Sequence, residues 1–92
     1  MNILQEADKI INQRSEEKER MYGPFSEGME RAAMIMSGAT GKHITASDMY
    51  MALVALKLSR ESYNKKYDNV LDAVAYLGAM YNHSKDEYDA TK

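Results

Sequence analysis

The sequence predicts an all-α protein: a single domain of four helices over residues 1–92, built on a central antiparallel helical hairpin. The chain contains one Pro and few runs of β-branched residues, so it is poor in the features that favour strands. Apolar residues recur at helical spacing in four segments. Two of these segments lie between Ile44 and Tyr81, separated only by a short polar turn, which is the arrangement that a helical hairpin needs.

Length and composition narrow the functional classes. Ninety-two residues give a small core, and self-association is a common way to bury more surface. A net charge of −2 disfavours general nucleic-acid binding, which needs a basic excess. No apolar run of about 18 residues is present and the N-terminus lacks the apolar core of a signal peptide, so we expect no membrane span. Without cysteine there are no disulfides or thiolates, and we expect a cytoplasmic protein.

The N-terminal half is predicted to form the first two helices. Residues 3–12 carry a narrow apolar stripe, and the charged segment after them is either a solvated extension or a frayed connector. Pro24 ends that segment because it has no backbone N–H. We expect the second helix to begin with Ser26 as its N-cap and to end at Gly38 as its C-terminal cap.

The hairpin helices have their own signals. Thr45 and Asp48 are spaced as a capping box that starts the first hairpin helix. The second hairpin helix shows one apolar face at helical spacing, formed by Tyr67, Val70, Leu71, Val74, Leu77 and Tyr81. The tail, residues 83–92, has little apolar surface, so we expect a short mobile last turn or disorder.

Two charged pairs lie on the hairpin, Lys57 with Arg60 on the first helix and Asp68 with Asp72 on the second. Centring the turn in the polar linker puts Lys57 level with Asp72. The same register puts Arg60 level with Asn69, next to Asp68, so two cations are expected to face two carboxylates. Part-buried charges have to be paired. The cluster either fixes the register of the hairpin or also holds a phosphate or a metal ion.

The corner before the second helix is a further candidate ligand site. Gly23 lets the backbone approach a bound group, Arg20 can form a forked pair with a phosphate, and Tyr22 can stack on a base. The alternative is a plain helix corner in which Arg20 pairs with Glu16, four residues earlier.

Apolar residues outside the main stripes predict a homo-oligomer. Met34, Ile35 and Met51 lie off the apolar faces of their helices. A small domain whose helices are apolar on more than one face is expected to bury the second face against another chain. The two histidines, His43 and His83, are not spaced as metal ligands and are interpreted as solvated loop residues, so we expect no metal site.

A series of short motifs runs between residues 14 and 81: Arg20-Met-Tyr22-Gly23, Glu30-Arg31-Ala32-Ala33, Ile44-Thr45, Lys57-Leu-Ser-Arg60, and Asp68-Asn69-Val-Leu-Asp72 with Tyr76. In this order they resemble an uncharacterised family of small helical proteins encoded mostly by bacteriophages and prophages. The resemblance implies an accessory protein of the host-cell cytoplasm that binds a nucleotide-type ligand or a host protein and so counteracts host machinery or defence. The candidate ligand-binding residues are Arg20, Tyr22, Gly23, Lys57, Arg60, Asp68, Asn69, Asp72 and Tyr76.

That family is in turn distantly similar to the MazG-type all-α nucleoside triphosphate pyrophosphatases, which bind magnesium through Glu-Glu-x-x-Glu and Glu-x-x-Asp motifs on neighbouring helices. The resemblance places Asn69-Val-Leu-Asp72 at the second motif, with Asn in place of its Glu. Lys57, Arg60 and Glu61 stand opposite. Magnesium needs oxygen ligands, and two cations aimed at the same place would repel it. We therefore expect binding without a cofactor rather than catalysis. The alternative, a reduced MazG-like pyrophosphatase, would require magnesium.

Overall fold

The computed structural model describes residues 1–13, 18, 20–21 and 23–92, and within these it shows helices joined by turns and no strand. The helices are α1 (Ile3–Asn12), α2 (Phe25–Thr40), α3 (Ala46–Tyr63), α4 (Tyr67–His83) and α5 (Lys85–Asp89). The antiparallel hairpin of α3 and α4 forms the centre, α1 packs on α4, and α2 packs on α3. The predicted all-α class is confirmed. Among the described helices, none is long and apolar enough to cross a membrane.

Helix α1 has the predicted bounds, and a capping box at its start explains why it begins there. The N–H of Gln5 donates to the side chain of Asn2, and the N–H of Asn2 donates back to Gln5, both at 2.9 Å. Helix α1 is also attached to the start of α4, where the hydroxyl of Tyr67 donates to the carboxylate of Glu6. This hydrogen bond is the main cause of the raised pKa of Tyr67.

The predicted ends of the second helix are wrong at both sides. Helix α2 begins at Phe25, one residue before Ser26, and no side chain caps its N-terminus. It continues through Gly38 to Thr40 and ends at Gly41, which has the left-handed φ of 70°. Both glycines fit a C-terminal cap, but the side chain of Ser37 hydrogen-bonds both the N–H and the carbonyl of Ile44. That contact fixes the path of the loop, which places the left-handed residue at position 41.

The predicted capping box of the hairpin is confirmed. The N–H of Thr45 donates to Asp48 Oδ2 at 2.9 Å, and the N–H of Asp48 donates to Thr45 Oγ1 at 3.1 Å. Hydrogen bonds to the Asp48 carboxylate from the backbone N–H of Thr45, and then from its side chain, favour the charged form and lower the pKa of Asp48. At the other end of α3, Glu61 accepts a hydrogen bond from the N–H of Lys66 at 2.9 Å, which bridges the turn into α4.

The core is small and rich in alanine. Met29, Tyr50 and Ala79 form a buried cluster where α2, α3 and α4 meet. Further buried alanines lie on α4 and α1, where a small side chain lets the helix axes approach closely: Ala7, Ala73 and Ala75. Tyr50 is the one large side chain of the described residues that is fully buried.

The C-terminal tail forms the short helix α5. The hydroxyl of Tyr81 donates to Asp89 Oδ1 at 2.8 Å, and the rings of Tyr81 and Tyr88 lie 5.6 Å apart. A short last turn was one of the two expectations for residues 83–92, and their mobility stays a prediction.

Candidate functional site

Lys57 and Asp72 form the ion pair that the hairpin register predicts. Lys57 Nζ lies 2.9 Å from Asp72 Oδ2, and the two side chains are only 17% and 30% exposed. A pair with this much burial binds α3 to α4 at one fixed register. The Lys57 ammonium is consequently already neutralised by a carboxylate of the same chain.

The second predicted pair does not form. Arg60 and Asp68 are both exposed, and no ion pair joins these two described residues. Asn69 is the buried residue here, and its side-chain N–H group makes long hydrogen bonds of 3.4 Å to Glu61 Oε1 and to the carbonyl of Asn64. Because successive residues of a helix are about 100° apart around its axis, an inward Asn69 turns Asp68 toward solvent.

Arg60 instead lines an open cleft at the turn of the hairpin. We call this the turn-end cleft; its volume is about 470 Å³, and its described lining consists of Ser59, Arg60, Tyr63, Asn64, Lys66 and Asn69. Among the described residues neither Arg60 nor Lys66 takes part in an ion pair. Tyr63 is 95% exposed. The cleft therefore offers two cations, a buried amide and an open aromatic ring.

Tyr76 lies away from this cleft, in an aromatic cluster that joins α2 to the hairpin. Its ring stacks on Phe25 with 6.1 Å between centroids, and Phe25 is tilted against Tyr50 at 5.9 Å. The Tyr50 ring in turn lies 5.7 Å from His83, whose Nε2 is 3.0 Å from Glu30 Oε1. The interpretation of His83 as a solvated loop residue is therefore wrong, because it is the half-buried last residue of α4.

A second cavity opens beside this cluster. We call it the aromatic cleft; its volume is about 540 Å³, and its lining consists of Ile11, Asn12, Pro24, Phe25, Ser26, Glu30, Tyr50, Ala79, Asn82 and His83. The side chain of Asn82 donates to Asn12 Oδ1 at 3.2 Å across it. Sequence reasoning did not find this cavity, although the excess of Tyr around the hairpin is a signal for an aromatic cluster.

The corner predicted as a ligand site is described only in part. Arg20 is exposed, and Gly23 adopts a left-handed φ of 74°, a conformation that suits glycine. Tyr22 lies outside the described residues, as does Glu16, the alternative partner of Arg20. The next residue, Pro24, lines the aromatic cleft, so the corner lies at its edge.

Metal-binding geometry is absent from the described part of the chain, where no three His, Asp or Glu side chains are grouped to hold an ion. Two carboxylates stand near the positions that the pyrophosphatase resemblance singles out. Glu61 accepts hydrogen bonds from Lys66 and Asn69, and Asp72 is paired with Lys57. One oxygen of each carboxylate, Glu61 Oε1 and Asp72 Oδ2, therefore already has a partner in the chain.

Helices α2 and α3 expose large apolar side chains. Met34 and Ile35 are 69% and 64% exposed on α2, and Met51 and Leu58 are 49% and 55% exposed on α3. Met51 and Leu58 are seven residues apart and so share one side of their helix. The expectation that Met34, Ile35 and Met51 lie off the core is confirmed, and oligomerisation stays a prediction.

Comparison with known proteins identifies the family of this chain. Searches of curated proteins and of solved structures found no match to this chain. A family model described as a domain of unknown function, DUF6378, covers residues 2–84. That span is most of the sequence, and the chain therefore belongs to the DUF6378 family.

Proposed function

We propose that this chain is a small accessory protein, encoded by a bacteriophage or prophage, that binds a phosphate-bearing ligand of the nucleotide type and does not catalyse its conversion. The observation that supports the proposal best is the turn-end cleft, in which Arg60 and Lys66 lie together without an ion-pair partner among the described residues. None of the described residues that line the cleft carries a carboxylate. An anion would supply the missing opposite charge.

The residue types of the cleft suit such a ligand. The Arg60 guanidinium presents several N–H donors in one plane and matches two phosphate oxygens at once, while Lys66 adds a mobile positive charge. The exposed ring of Tyr63 offers a surface for stacking, and base–aromatic stacking contributes about 1–3 kcal/mol. Asn69 is held in the floor of the cleft by its bonds to Glu61 and Asn64. It therefore needs little rearrangement to contact a ligand.

The ion pair of Lys57 with Asp72 is one reason why we favour binding over catalysis. With Lys57 neutralised by Asp72, neither side chain is available to a ligand without breaking a contact of 2.9 Å. Magnesium-dependent hydrolysis needs carboxylate oxygens that are open to the metal, and Glu61 Oε1 and Asp72 Oδ2 already have partners in the chain. Asp68 remains exposed nearby, but a single free carboxylate makes a poor magnesium site.

We also propose that the protein is a homo-oligomer that associates through the exposed apolar side chains of α2 and α3. Met34 and Ile35 on one helix and Met51 and Leu58 on the next would each lose apolar surface to water on association. Methionine adapts well to such contacts because its side chain is flexible and polarizable. A host protein that covers the same side chains is the alternative occupant.

The test is a calorimetric titration of the purified protein with inorganic phosphate, pyrophosphate, and nucleoside mono-, di- and triphosphates. Arg60→Ala and Lys66→Ala should each weaken binding about tenfold or more, because a hydrogen bond to a charged group contributes about 1.5–3 kcal/mol. Arg31→Ala, at an exposed arginine outside the cleft, is the matched control and should bind as wild type. Arg20→Ala tests the corner separately.

Two results would overturn the proposal. One is a titration in which no phosphate compound binds more tightly than millimolar, or in which wild type and Arg60→Ala bind equally well. Either outcome would indicate that the target is a protein. The other is release of pyrophosphate from a nucleoside triphosphate in the presence of magnesium, which would establish the pyrophosphatase alternative.

A further inference from the structure

The aromatic cleft lies at the opposite end of the hairpin from the turn-end cleft. Tyr50 in the one and Arg60 in the other are ten residues apart on α3, which corresponds to about 15 Å along the helix axis. The ion pair of Lys57 and Asp72 lies between Arg60 and Tyr50 along the hairpin. The two clefts have no described lining residue in common, so a ligand of one need not touch the other.

Tyr50 has a feature that packing alone does not explain. Its side chain is buried to 1% exposure, yet its hydroxyl makes no hydrogen bond to any described residue. Every side-chain oxygen of the described residues that is closed to solvent has a hydrogen-bond partner. Because the Tyr50 hydroxyl has no partner among these residues, it must still be in contact with solvent through an opening. The opening that Tyr50 lines is the aromatic cleft. A buried tyrosine hydroxyl usually has a hydrogen-bond partner in the folded protein. For Tyr50 the position of that partner can be taken by a ligand in the aromatic cleft.

Charge and shape limit what that ligand can be. No Lys or Arg of the described residues lines the aromatic cleft, and the carboxylate of Glu30 would repel an anion. The imidazole of His83, 3.0 Å from Glu30, holds that carboxylate in place. Burial and the nearby charge of Glu30 raise the pKa of Tyr50, so its hydroxyl is a neutral donor at physiological pH. Apolar contacts come from Phe25 and Ala79.

We propose that the aromatic cleft binds an uncharged planar heteroaromatic ring that carries a hydrogen-bond acceptor beside a donor. The acceptor of the ring receives the Tyr50 O–H, the ring N–H donates to Glu30, and the ring packs beside Phe25. The cavity of about 540 Å³ is within the usual range of small-molecule sites and larger than one such ring. A ring with a neutral polar substituent, as in a free nucleoside, fits this description.

The experiment uses the full chain and four phosphate-free probes: adenosine, guanosine, cytidine and uridine. Binding is measured by saturation-transfer NMR and by calorimetry. We expect at least one nucleoside to bind with a dissociation constant below millimolar. Tyr50→Phe removes only the oxygen and keeps the ring contacts with Phe25 and His83, so it should fold. It should weaken binding about three- to tenfold, as the loss of one neutral hydrogen bond predicts.

A matched variant controls for the loss of a hydroxyl. Tyr88→Phe removes a hydroxyl on α5, outside the described lining of both clefts, and should leave nucleoside affinity unchanged. Glu30→Ala removes the expected acceptor from an exposed position of α2 and should weaken binding further than Tyr50→Phe. Thermal melting of each variant shows whether it is folded, and a lower affinity counts only for a variant that melts cooperatively.

The inference is overturned if no nucleoside binds, or if Tyr50→Phe binds every probe as wild type does. It is also overturned if inorganic phosphate competes with the nucleoside, because that result would place the ring in the turn-end cleft. None of these results contradicts the proposed phosphate site in the turn-end cleft. A negative result for the phosphate site likewise does not contradict the nucleoside site, because the two sites are tested with different probes.

Discussion

Removing one partner of the Lys57–Asp72 ion pair is expected to lower the free energy of unfolding by about 2 kcal/mol. Exposed ion pairs contribute up to about 1 kcal/mol, whereas breaking a buried pair costs about 3–5 kcal/mol because the remaining charge is left without a partner. The side chains of Lys57 and Asp72 are 17% and 30% exposed, with 2.9 Å between Nζ and Oδ2. Their burial is intermediate, so the expected cost lies between the two limits.

The assay is a double-mutant cycle with Lys57→Met, Asp72→Asn and the combined variant. In a domain of this size, 1 kcal/mol corresponds to a change in Tm of about 4–8 °C, so each single variant should melt about 8–16 °C lower. The combined variant should recover part of that loss, because no charge is then left alone in the interface. Protein concentration is held constant, since self-association would make Tm depend on it.

Lys42→Met is the matched control for the lysine. Lys42 is exposed and takes part in no ion pair with another described residue, so the change should alter stability by less than about 0.5 kcal/mol. If both single variants melt within about a degree of wild type, the ion pair does not stabilise the fold and the reasoning from its burial is refuted.

Three further predictions concern other parts of the fold. Met51→Glu should reduce the mass measured by light scattering, because it places a charge in the proposed interface. A wild-type protein that is monomeric at tens of micromolar would contradict the proposed homo-oligomer. Gly41→Ala should lower the free energy of unfolding by about 1 kcal/mol because Gly41 has a left-handed φ, whereas Gly38→Ala, inside α2, should raise it by about 0.5–1 kcal/mol. Chemical unfolding measures both changes, and two changes of the same sign would contradict the assignment of Gly41 as the C-terminal cap. The pKa of Asp48 is lowered by hydrogen bonds with the backbone and then the hydroxyl of Thr45, so the stability it adds is present above its unfolded pKa and is lost as pH falls through the folded pKa. Asp48→Asn should therefore make Tm less dependent on pH in the acid range, and an unchanged acid profile would argue against it.

Features set by neighbouring residues could be predicted from the sequence. The bounds of α1 and the capping box of Thr45 and Asp48 depend on side chains within three or four residues of each other. The pairing of Lys57 with Asp72 follows from the length of the turn, because an antiparallel hairpin has one register once its centre is known. These features needed no knowledge of the rest of the fold.

Other features depend on contacts between distant segments. Gly38 and Gly41 are equivalent as caps until the contact of Ser37 with Ile44 fixes the loop. The orientation of Asn69 is decided by Glu61 and Asn64, which are outside its own helix. Spacing along α4 could therefore not show that Asn69, and not Asp68, faces the hairpin partner.

The burial of Tyr50 could not be predicted for the same reason. Helix α3 is apolar on several sides, so its sequence does not show which side the other helices cover. Phe25 from α2 and His83 from the end of α4 both pack on the Tyr50 ring. The aromatic cleft forms only where these three helices meet the end of α1, which supplies Ile11 and Asn12.

Charge is distributed unequally along the hairpin, and this distribution determines what each end can bind. The Lys57 charge is cancelled in the middle by Asp72, whereas Arg60 and Lys66 remain uncompensated by any ion pair of the described chain at the turn. The aromatic cleft at the far end has the carboxylate of Glu30 and, among its described lining residues, no Lys or Arg. An anion is therefore attracted to the turn and repelled from the aromatic cleft. Since salt screens exposed charges, added salt should weaken phosphate binding at the turn and leave the binding of an uncharged ring nearly unchanged.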